Sequence, residues 1–183
     1  MHTDIQEVLF SSEQISARVR ELGQAITADY APLVAQGHEV VMMCVLRGAA
    51  IFMADLARAV DLPLEMDYMS VSSYDASTKS SGEVRITKDL SGSIQGKHLI
   101  IAEDIIDSGL TLSYLRQSLL SRGPLSIQVA AMLRKDIPRV TEVECAYLGF
   151  ECPDEFVVGY GLDYAEQYRN LSYIGSLKPE IYR

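Results

Sequence analysis

The sequence predicts a single α/β domain with a doubly wound, mainly parallel sheet flanked by helices, a small C-terminal hood subdomain and a flexible loop. Uninterrupted apolar runs, typical of strands buried on both faces, occur at 39–46 and 97–105. Each run is followed by a segment of helical periodicity and a further strand-like run, a spacing that favours parallel strands with right-handed crossovers. A chain of 183 residues with 48% apolar residues can bury a substantial core.

The N-terminal part begins with a predicted amphipathic helix from Ser11 to Tyr30. Ser11 and Gln14 have capping-box spacing, and apolar residues then recur at intervals of three or four. We expect this helix to pack on the sheet. The run 39–46 predicts a strand, and the helical periodicity of 49–60, with a proline shortly after it, indicates the helix that follows.

A hairpin is predicted in the middle of the chain. Residues 64–74 alternate enough to form a strand, and residues 83–90 resemble its antiparallel partner. The polar run DASTKSSG at 75–82 lacks periodicity, which predicts a mobile loop between the two strands.

The second half of the chain repeats the alternation of strand and helix. Residues 97–105 predict a buried strand with an acidic far end, 110–123 a helix, and 125–133 the next strand. The apolar stripe of that helix consists of Leu112, Leu115 and Leu119. Short aromatic and β-branched runs from 134 to 183 predict the hood, and without a long linker the chain 1–183 is expected to be one domain.

Composition excludes several classes of partner and compartment. A net charge of −9 argues against nucleic acid, whose attraction depends on clustered basic residues. No apolar stretch of about 18 residues predicts a membrane span, and the start MHTDIQEVLF lacks a secretory pattern, so we expect a cytoplasmic protein. Three cysteines without CxxC spacing imply neither disulfides nor zinc, and the histidines are expected in surface or loop positions.

The most informative segment is IIAEDIIDSGLT at 100–111. Ligands of open α/β sheets bind at the carboxyl ends of strands, and this strand end carries Glu103, Asp104 and Asp107. The DSGLT turn offers a phosphate group a glycine, two hydroxyls and the unpaired N–H groups of a new helix. The adjacent carboxylates suit ribose hydroxyls and the waters of magnesium.

Two other interpretations of this segment remain open on the residues alone. Glu103 and Asp104 could be a solvated strand end, followed by a capping turn with a glycine. A phospho-acceptor receiver domain also gathers acids at strand ends. Receiver domains draw those acids from different strands, whereas the three acids here lie within five residues.

Five segments of the chain resemble type I phosphoribosyltransferases, in the form seen in hypoxanthine and hypoxanthine-guanine enzymes. AEDIIDSGLT at 102–111 resembles the phosphoribosyl pyrophosphate motif, and VLRGA at 45–49 resembles the first active-site loop. SVSSYDASTKSSGEV at 70–84 resembles the flexible loop. MLRKD at 132–136 and PDEFVVGYGLDYAEQYRNL at 153–171 resemble the segments that recognise the purine.

This resemblance implies the type I phosphoribosyltransferase fold, Mg²⁺ as cofactor, and a homodimer or homotetramer. It implies that Glu103 and Asp104 bind the ribose hydroxyls, directly or through magnesium and its waters. It also implies that Asp107 accepts and donates a proton near N7 of the purine. The implied 5-phosphate site consists of Asp107, Ser108, Gly109, Leu110 and Thr111.

The resemblance also implies sites for pyrophosphate and base. Pyrophosphate is expected to contact Leu46, Arg47 and Gly48, through a strained peptide at Leu46–Arg47, and also Arg169. The family usually has lysine where Arg47 stands, and this exchange keeps the charge. For the base, the resemblance implies that Lys135 recognises the oxygen on C6, Phe156 stacks on the ring and Val157 makes main-chain contacts. It implies magnesium coordination by Asp163. Ser73 and Tyr74 are expected to close over the reaction.

Pattern alone also allows ordinary roles for several of these residues. Phe156 could be a core strand residue, Lys135 and Arg169 solvated charges, and Asp163 the cap of a turn. Two rival functions stay open as well. One is an enzyme of the same fold acting on adenine, xanthine or a pyrimidine, and the other is a regulator that binds phosphoribosyl pyrophosphate while gripping RNA or DNA.

Overall fold

The structure is a computed structural model that describes residues 2–73, 84–138, 141 and 143–182. In chain order the strands are β1 (Ile5–Phe10), β2 (Val40–Leu46), β3 (Glu65–Ser73), β4 (Val84–Lys88), β5 (His98–Ile106), β6 (Ser126–Lys135), β7 (Tyr147–Cys152), β8 (Val157–Val158) and β9 (Ile174–Leu177). The helices are α1 (Ser12–Val34), α2 (Ala50–Ala59), α3 (Leu110–Leu120) and α4 (Pro179–Tyr182). No helix in these ranges has the length and apolar character needed to cross a membrane.

The larger sheet is mainly parallel, which confirms the predicted fold class. Its strand order is β4-β3-β2-β5-β6-β7, and every neighbouring pair is parallel except β3 with β4. The antiparallel pairing of those two strands confirms the predicted hairpin partner. The predicted mobile loop at 75–82 lies outside the described residues.

The order of the strands reverses between β2 and β5. The chain runs from β2 through α2 to β3 on one side, and from β5 through α3 to β6 on the other. Ligands of open parallel sheets bind at the carboxyl ends of the strands beside such a reversal. Leu46 and Ile106 end the two strands and mark this place.

Apolar side chains cover both faces of the larger sheet. Met42 of β2 packs in a cluster with Ile26 of α1 and Phe52 of α2. On the opposite face, Met43 packs in a cluster with the predicted leucine stripe of α3, which includes Leu115. Because successive β2 residues enter opposite clusters, the strand is a continuous apolar run rather than an alternating one.

The C-terminal part of the chain divides differently from the expected hood. β7 pairs with β6 and forms an edge of the larger sheet. The smaller sheet has the order β1-β9-β8 and takes β1 from the N-terminal end, with Ile5 opposite Leu177 and Phe10 opposite Ile174. We call the smaller sheet with residues 153–182 the hood.

One expectation about the histidines is wrong. His98 begins β5 and is buried, with Nδ1 2.7 Å from the hydroxyl oxygen of Ser126. The adjacent apolar run carries the start of the strand, and its polar first residue, into the interior.

The predicted capping box of α1 is present. The Ser11 hydroxyl accepts from the Gln14 N–H at 3.3 Å, and the Gln14 side-chain oxygen accepts from the Ser11 N–H at 2.8 Å. The helix extends four residues beyond Tyr30, to Val34, and contains Pro32.

We expect Ser11→Ala to lower the free energy of unfolding by about 1 kcal/mol, because it removes the acceptor of an otherwise unpaired N–H group. The measurement is urea denaturation. Ser16→Ala, on the exposed surface of the same helix, is the control and should change stability by less than about 0.5 kcal/mol. Equal losses in the two variants would contradict a specific capping contribution.

Candidate functional site

Two adjacent carboxyl groups lie near the carboxyl end of β5, beside β2. Glu103 and Asp104 are partly buried, and desolvation raises the pKa of Glu103 well above its ordinary value, with the neighbouring Asp104 charge raising it further. Desolvation also raises the pKa of Asp104, although a hydrogen bond from the Ile105 N–H, at 2.8 Å, favours its ionised form. The solvated strand end is therefore the wrong interpretation. These carboxyl groups require a cation or hydrogen-bond donors to ionise fully.

The turn after β2 approaches Asp104 closely. The peptide bond between Leu46 and Arg47 is cis. A Cβ atom at Gly48 would collide with the Asp104 carboxylate, so the turn lies against this side chain only because it has no side chain of its own. The backbone of Gly161 in the hood packs on the carbonyl oxygen of Gly48 in the same manner. The turn, the acidic strand end and the hood thus meet at one place.

The turn between β5 and α3 presents an uncapped helix N-terminus. Gly109 is the N-cap residue with φ 78°, and a Cβ there would also collide with the carbonyl oxygen of Thr141. Gly109 itself offers no side-chain cap, and the Ser108 hydroxyl accepts only a long hydrogen bond, 3.5 Å, from the Leu110 N–H. The N-cap residue is therefore the glycine rather than Asp107 or Ser108. The first N–H groups of α3 are left for solvent or an anion.

A cavity of about 130 Å³ extends from this helix end to Glu103, one of the two acidic residues. Its lining residues are Val45, Glu103, Ile105, Ile106, Asp107, Ser108, Gly109, Thr111 and Leu112. The Asp107 carboxylate, the hydroxyls of Ser108 and Thr111 and a positive helix end therefore line one space. This combination suits a phosphorylated ligand with polar groups beside the phosphate.

Charged side chains link the hood to the turn after β2. Arg169 lies 2.8 Å from a carboxylate oxygen of Asp163 and donates to the Gly161 carbonyl oxygen at 2.7 Å. Glu166 accepts from Arg47 at 2.7 Å through an oxygen that lies 3.8 Å from Arg169. The Arg169 side chain is 25% exposed, and its Nε is buried without a partner among the described residues, so it is not a solvated charge.

Asp163 also has the ordinary role that its sequence position allows. Its second carboxylate oxygen accepts from the Glu166 N–H at 3.0 Å, which caps the turn. The same side chain therefore shapes the turn and pairs with Arg169. It lies close enough to Asp104 for its charge to raise the pKa of that carboxyl.

Two of the three predicted base-recognition residues, Lys135 and Phe156, line a second cavity of about 450 Å³. Lys135 ends β6 with 18% of its side chain exposed, and its Nζ lies 3.5 Å from an Asp154 carboxylate oxygen. Phe156 precedes β8 and is 37% exposed, so it is not a core strand residue. Its ring stacks on Tyr182 with centroids 4.9 Å apart. Val157 is buried in β8.

The structure tests the remaining site predictions only in part. Ser73 ends β3, whereas Tyr74 lies outside the described residues. Within the described ranges no three His, Cys, Asp or Glu side chains form a group that could hold a metal ion. Sequence reasoning missed Glu166, Asp154 and Tyr182. The first lies inside the DYAEQYR segment, but only the folded turn brings it to the arginines.

Known proteins resemble this chain over almost its whole length. The family model for the phosphoribosyl transferase domain matches residues 6–165. The hypoxanthine-guanine phosphoribosyltransferase of Bacillus subtilis (strain 168) is 52% identical over 182 residues, which cover 100% of this chain and 98% of the relative. That of Mycobacterium tuberculosis (strain ATCC 25618 / H37Rv) is 52% identical over 181 residues, covering 98% of this chain and 90% of the relative.

Solved structures agree with these matches. A hypoxanthine phosphoribosyltransferase from Staphylococcus aureus has a TM-score of 0.92 at 47% identity, covering 100% of this chain and 97% of that chain. A Trypanosoma cruzi hypoxanthine phosphoribosyl transferase has a TM-score of 0.92 at 37% identity, covering 100% of this chain and 96% of that chain. The family resemblance found in the five sequence segments is confirmed.

We expect the paired substitutions Glu103→Gln and Asp104→Asn to raise the urea midpoint of unfolding at about pH 8, and this gain to vanish near pH 4. The folded-state pKa of both carboxyls is raised, so their stabilising contribution is present at low pH and is lost as the pH rises through the folded pKa. The uncharged variant avoids that loss.

The measurement is urea unfolding of the wild type and the variant across this pH range. Ser108→Ala, in the turn that follows, is the control: neither side chain ionises in this range, so any shift of the midpoint should be equal at both ends. A gain from the paired substitutions that persists at low pH would attribute the effect to packing rather than to charge.

Proposed function

The chain belongs to the phosphoribosyl transferase domain family, and we propose that it transfers the 5-phosphoribosyl group of phosphoribosyl pyrophosphate to N9 of a 6-oxopurine base in purine salvage. The products are IMP from hypoxanthine, GMP from guanine, and pyrophosphate. One observation carries the proposal: a cavity that joins Glu103, of the acidic pair, to a helix N-terminus whose N-cap residue makes no side-chain hydrogen bond. The hypoxanthine-guanine enzymes at 52% identity support the class of base.

The ribose 5-phosphate occupies the cavity at the start of α3. The N–H groups of the first helical turn and the hydroxyls of Ser108 and Thr111 donate to the phosphate oxygens. The carboxyl groups of Glu103 and Asp104 accept from the ribose hydroxyls. These contacts supply the donors that the desolvated carboxyls require when they ionise.

Asp107 is the acid and base of the reaction. Attack through N9 places positive charge on the purine ring as the bond from C1 of the ribose to pyrophosphate breaks. The Asp107 carboxylate lines the cavity at the start of α3 and is exposed. We propose that it accepts the proton at N7 of the bound purine. A positioned base of this kind contributes roughly 10²- to 10⁴-fold in rate.

Enzymes of this family generally use Mg²⁺ with phosphoribosyl pyrophosphate. Magnesium usually binds one or two carboxylates together with substrate phosphate oxygens, and the adjacent desolvated carboxyls of Glu103 and Asp104 offer oxygen ligands of this kind. Glu103, Asp104 and Asp163 are the residues that would hold it. When bound, the ion neutralises charge on the departing pyrophosphate oxygens.

The pyrophosphate group lies between the turn after β2 and the hood. Arg47 and Arg169 project from these two sides and are already linked through Glu166. Guanidinium groups bind phosphoryl oxygens in a planar, two-pronged geometry that lysine does not reproduce. Main-chain groups of Leu46 and Gly48 complete this side. The role proposed for Ser73 and Tyr74 is to close over the reaction and exclude water.

The base occupies the cavity of Lys135 and Phe156. The Lys135 ammonium donates to the oxygen on C6, the Phe156 ring stacks on the purine, and Val157 contacts its edge through the main chain. Adenine presents an amino donor at C6, so the same ammonium disfavours it. This difference favours a 6-oxopurine over adenine as substrate.

Further properties are proposed on the family relationship and composition. We infer a cytoplasmic enzyme that forms a homodimer or homotetramer, with 1–183 acting as a single domain. A regulator that binds RNA or DNA would need a basic face. The net charge of −9 disfavours this alternative function.

The function is tested by incubating the protein with phosphoribosyl pyrophosphate, Mg²⁺ and each of hypoxanthine, guanine, xanthine and adenine. We expect nucleotide and pyrophosphate from hypoxanthine and guanine, loss of turnover with a chelator, and recovery when magnesium is restored. Nucleotide from adenine alone would refute the proposed base class, and full turnover without divalent metal would refute the metal requirement. A gel-shift assay with RNA and DNA tests the alternative function, a regulator that binds nucleic acid.

Lys135→Met is expected to lower kcat/KM for hypoxanthine by roughly tenfold to a hundredfold, because the C6 oxygen loses a charge-assisted donor. Affinity for phosphoribosyl pyrophosphate should stay the same. Steady-state kinetics with three bases and calorimetry with the diphosphate substrate measure the two effects. Lys88→Met, on an edge strand, is the control. A parallel loss of diphosphate binding would mean that Lys135 does not act on the base.

A further inference from the structure

Glu166 lies between the two arginines of the pyrophosphate region. One of its carboxylate oxygens is 2.7 Å from the Arg47 guanidinium and 3.8 Å from that of Arg169. Arg47 belongs to the turn after β2, whereas Arg169 belongs to the hood. The carboxylate is therefore the single anion that both guanidinium groups share among the contacts of the described residues.

The backbone presents this carboxylate in a constrained way. Glu166 has φ 66°, and Ala165 and Tyr168 on either side also have positive φ values of 49° and 75°. Such conformations are unfavourable for residues with a side chain and persist where the surroundings determine them. Here the Glu166 N–H donates to Asp163, and the Tyr168 hydroxyl donates to Asp4 at 2.7 Å.

A carboxylate and a phosphoryl group satisfy a guanidinium in the same way. Both offer oxygens with negative charge to the planar N–H groups of arginine. Arg169 adds a buried Nε that no described residue satisfies, so this arginine keeps donor capacity beyond its present contacts. An incoming pyrophosphate group would therefore compete with the Glu166 carboxylate for the guanidinium groups of Arg47 and Arg169.

We propose that Glu166 is an internal competitor of pyrophosphate, which holds Arg47 and Arg169 while the site is empty and releases them when the diphosphate substrate binds. The inference rests on the proposed function, because it takes these arginines as the pyrophosphate ligands. Its consequence is that Glu166 weakens the binding of phosphoribosyl pyrophosphate and of free pyrophosphate alike. Product release becomes easier for the same reason.

A role in which Glu166 only positions the arginines predicts the opposite sign. If the ion pairs merely held the guanidinium groups ready, removal of the charge would loosen them and weaken diphosphate binding. A competitor, by contrast, tightens binding when it is neutralised. The direction of the change therefore separates the two roles.

The test is Glu166→Gln, which keeps the size of the side chain and removes its charge. We expect KM for phosphoribosyl pyrophosphate and the inhibition constant of pyrophosphate to fall about two- to fivefold, the range of an exposed ion pair. KM for hypoxanthine should not change. The effect should shrink at high salt, because salt screens exposed charges.

Two further proteins complete the experiment. Glu21→Gln removes an exposed glutamate that pairs with Arg18 at 2.6 Å on α1, and should leave both constants unchanged. In an Arg47→Met background, Glu166→Gln should have a smaller effect than in the wild type, because one contested guanidinium is absent.

A rise or no change in KM for phosphoribosyl pyrophosphate on Glu166→Gln would overturn the inference. Equal effects in the presence and absence of the Arg47 guanidinium would overturn it as well. Calorimetric binding of magnesium pyrophosphate gives the same comparison without turnover. Failure of the wild type to form any nucleotide would instead refute the proposed function, which the calorimetric result does not depend on.

Discussion

The site depends on the close contact of three backbone segments around the Asp104 carboxylate. Gly48 lies against this side chain with no room for a Cβ, and Gly161 packs on the Gly48 carbonyl in turn. These contacts bring the end of β2, the end of β5 and the hood into register, so one ligand can touch all three. They also keep water from the carboxyls, and this desolvation raises their pKa values.

The sequence predicted the parts of the fold that local periodicity determines. β2 and β5 contain apolar runs because both faces of the sheet are covered. The capping box of α1 shows where that helix begins. The acidic strand end with its glycine turn could be found for a related reason. Its residues are adjacent in the chain, so the sequence alone shows that acids, hydroxyls and a turn glycine lie together.

Long-range pairing explains what the sequence could not predict. β1 is short and its partner β9 lies at the other end of the chain, so no local pattern indicates that they pair. β7 joins the edge of the larger sheet for the same reason. Glu166 is distant from Arg47 in sequence and reaches it only through a turn of positive φ values, which residues with side chains rarely adopt.

The pairing of β1 with β9 also bears on how the protein is made. Gln6 of β1 and Leu177 of β9 line the same cavity as Phe156, so its walls come from both ends of the chain. The larger sheet takes no strand from the chain after β7, so all of its strands are synthesised before β9. The nascent chain can therefore assemble the larger sheet before β9 reaches β1, and the cavity that Phe156 lines is completed only when these two distant strands pair.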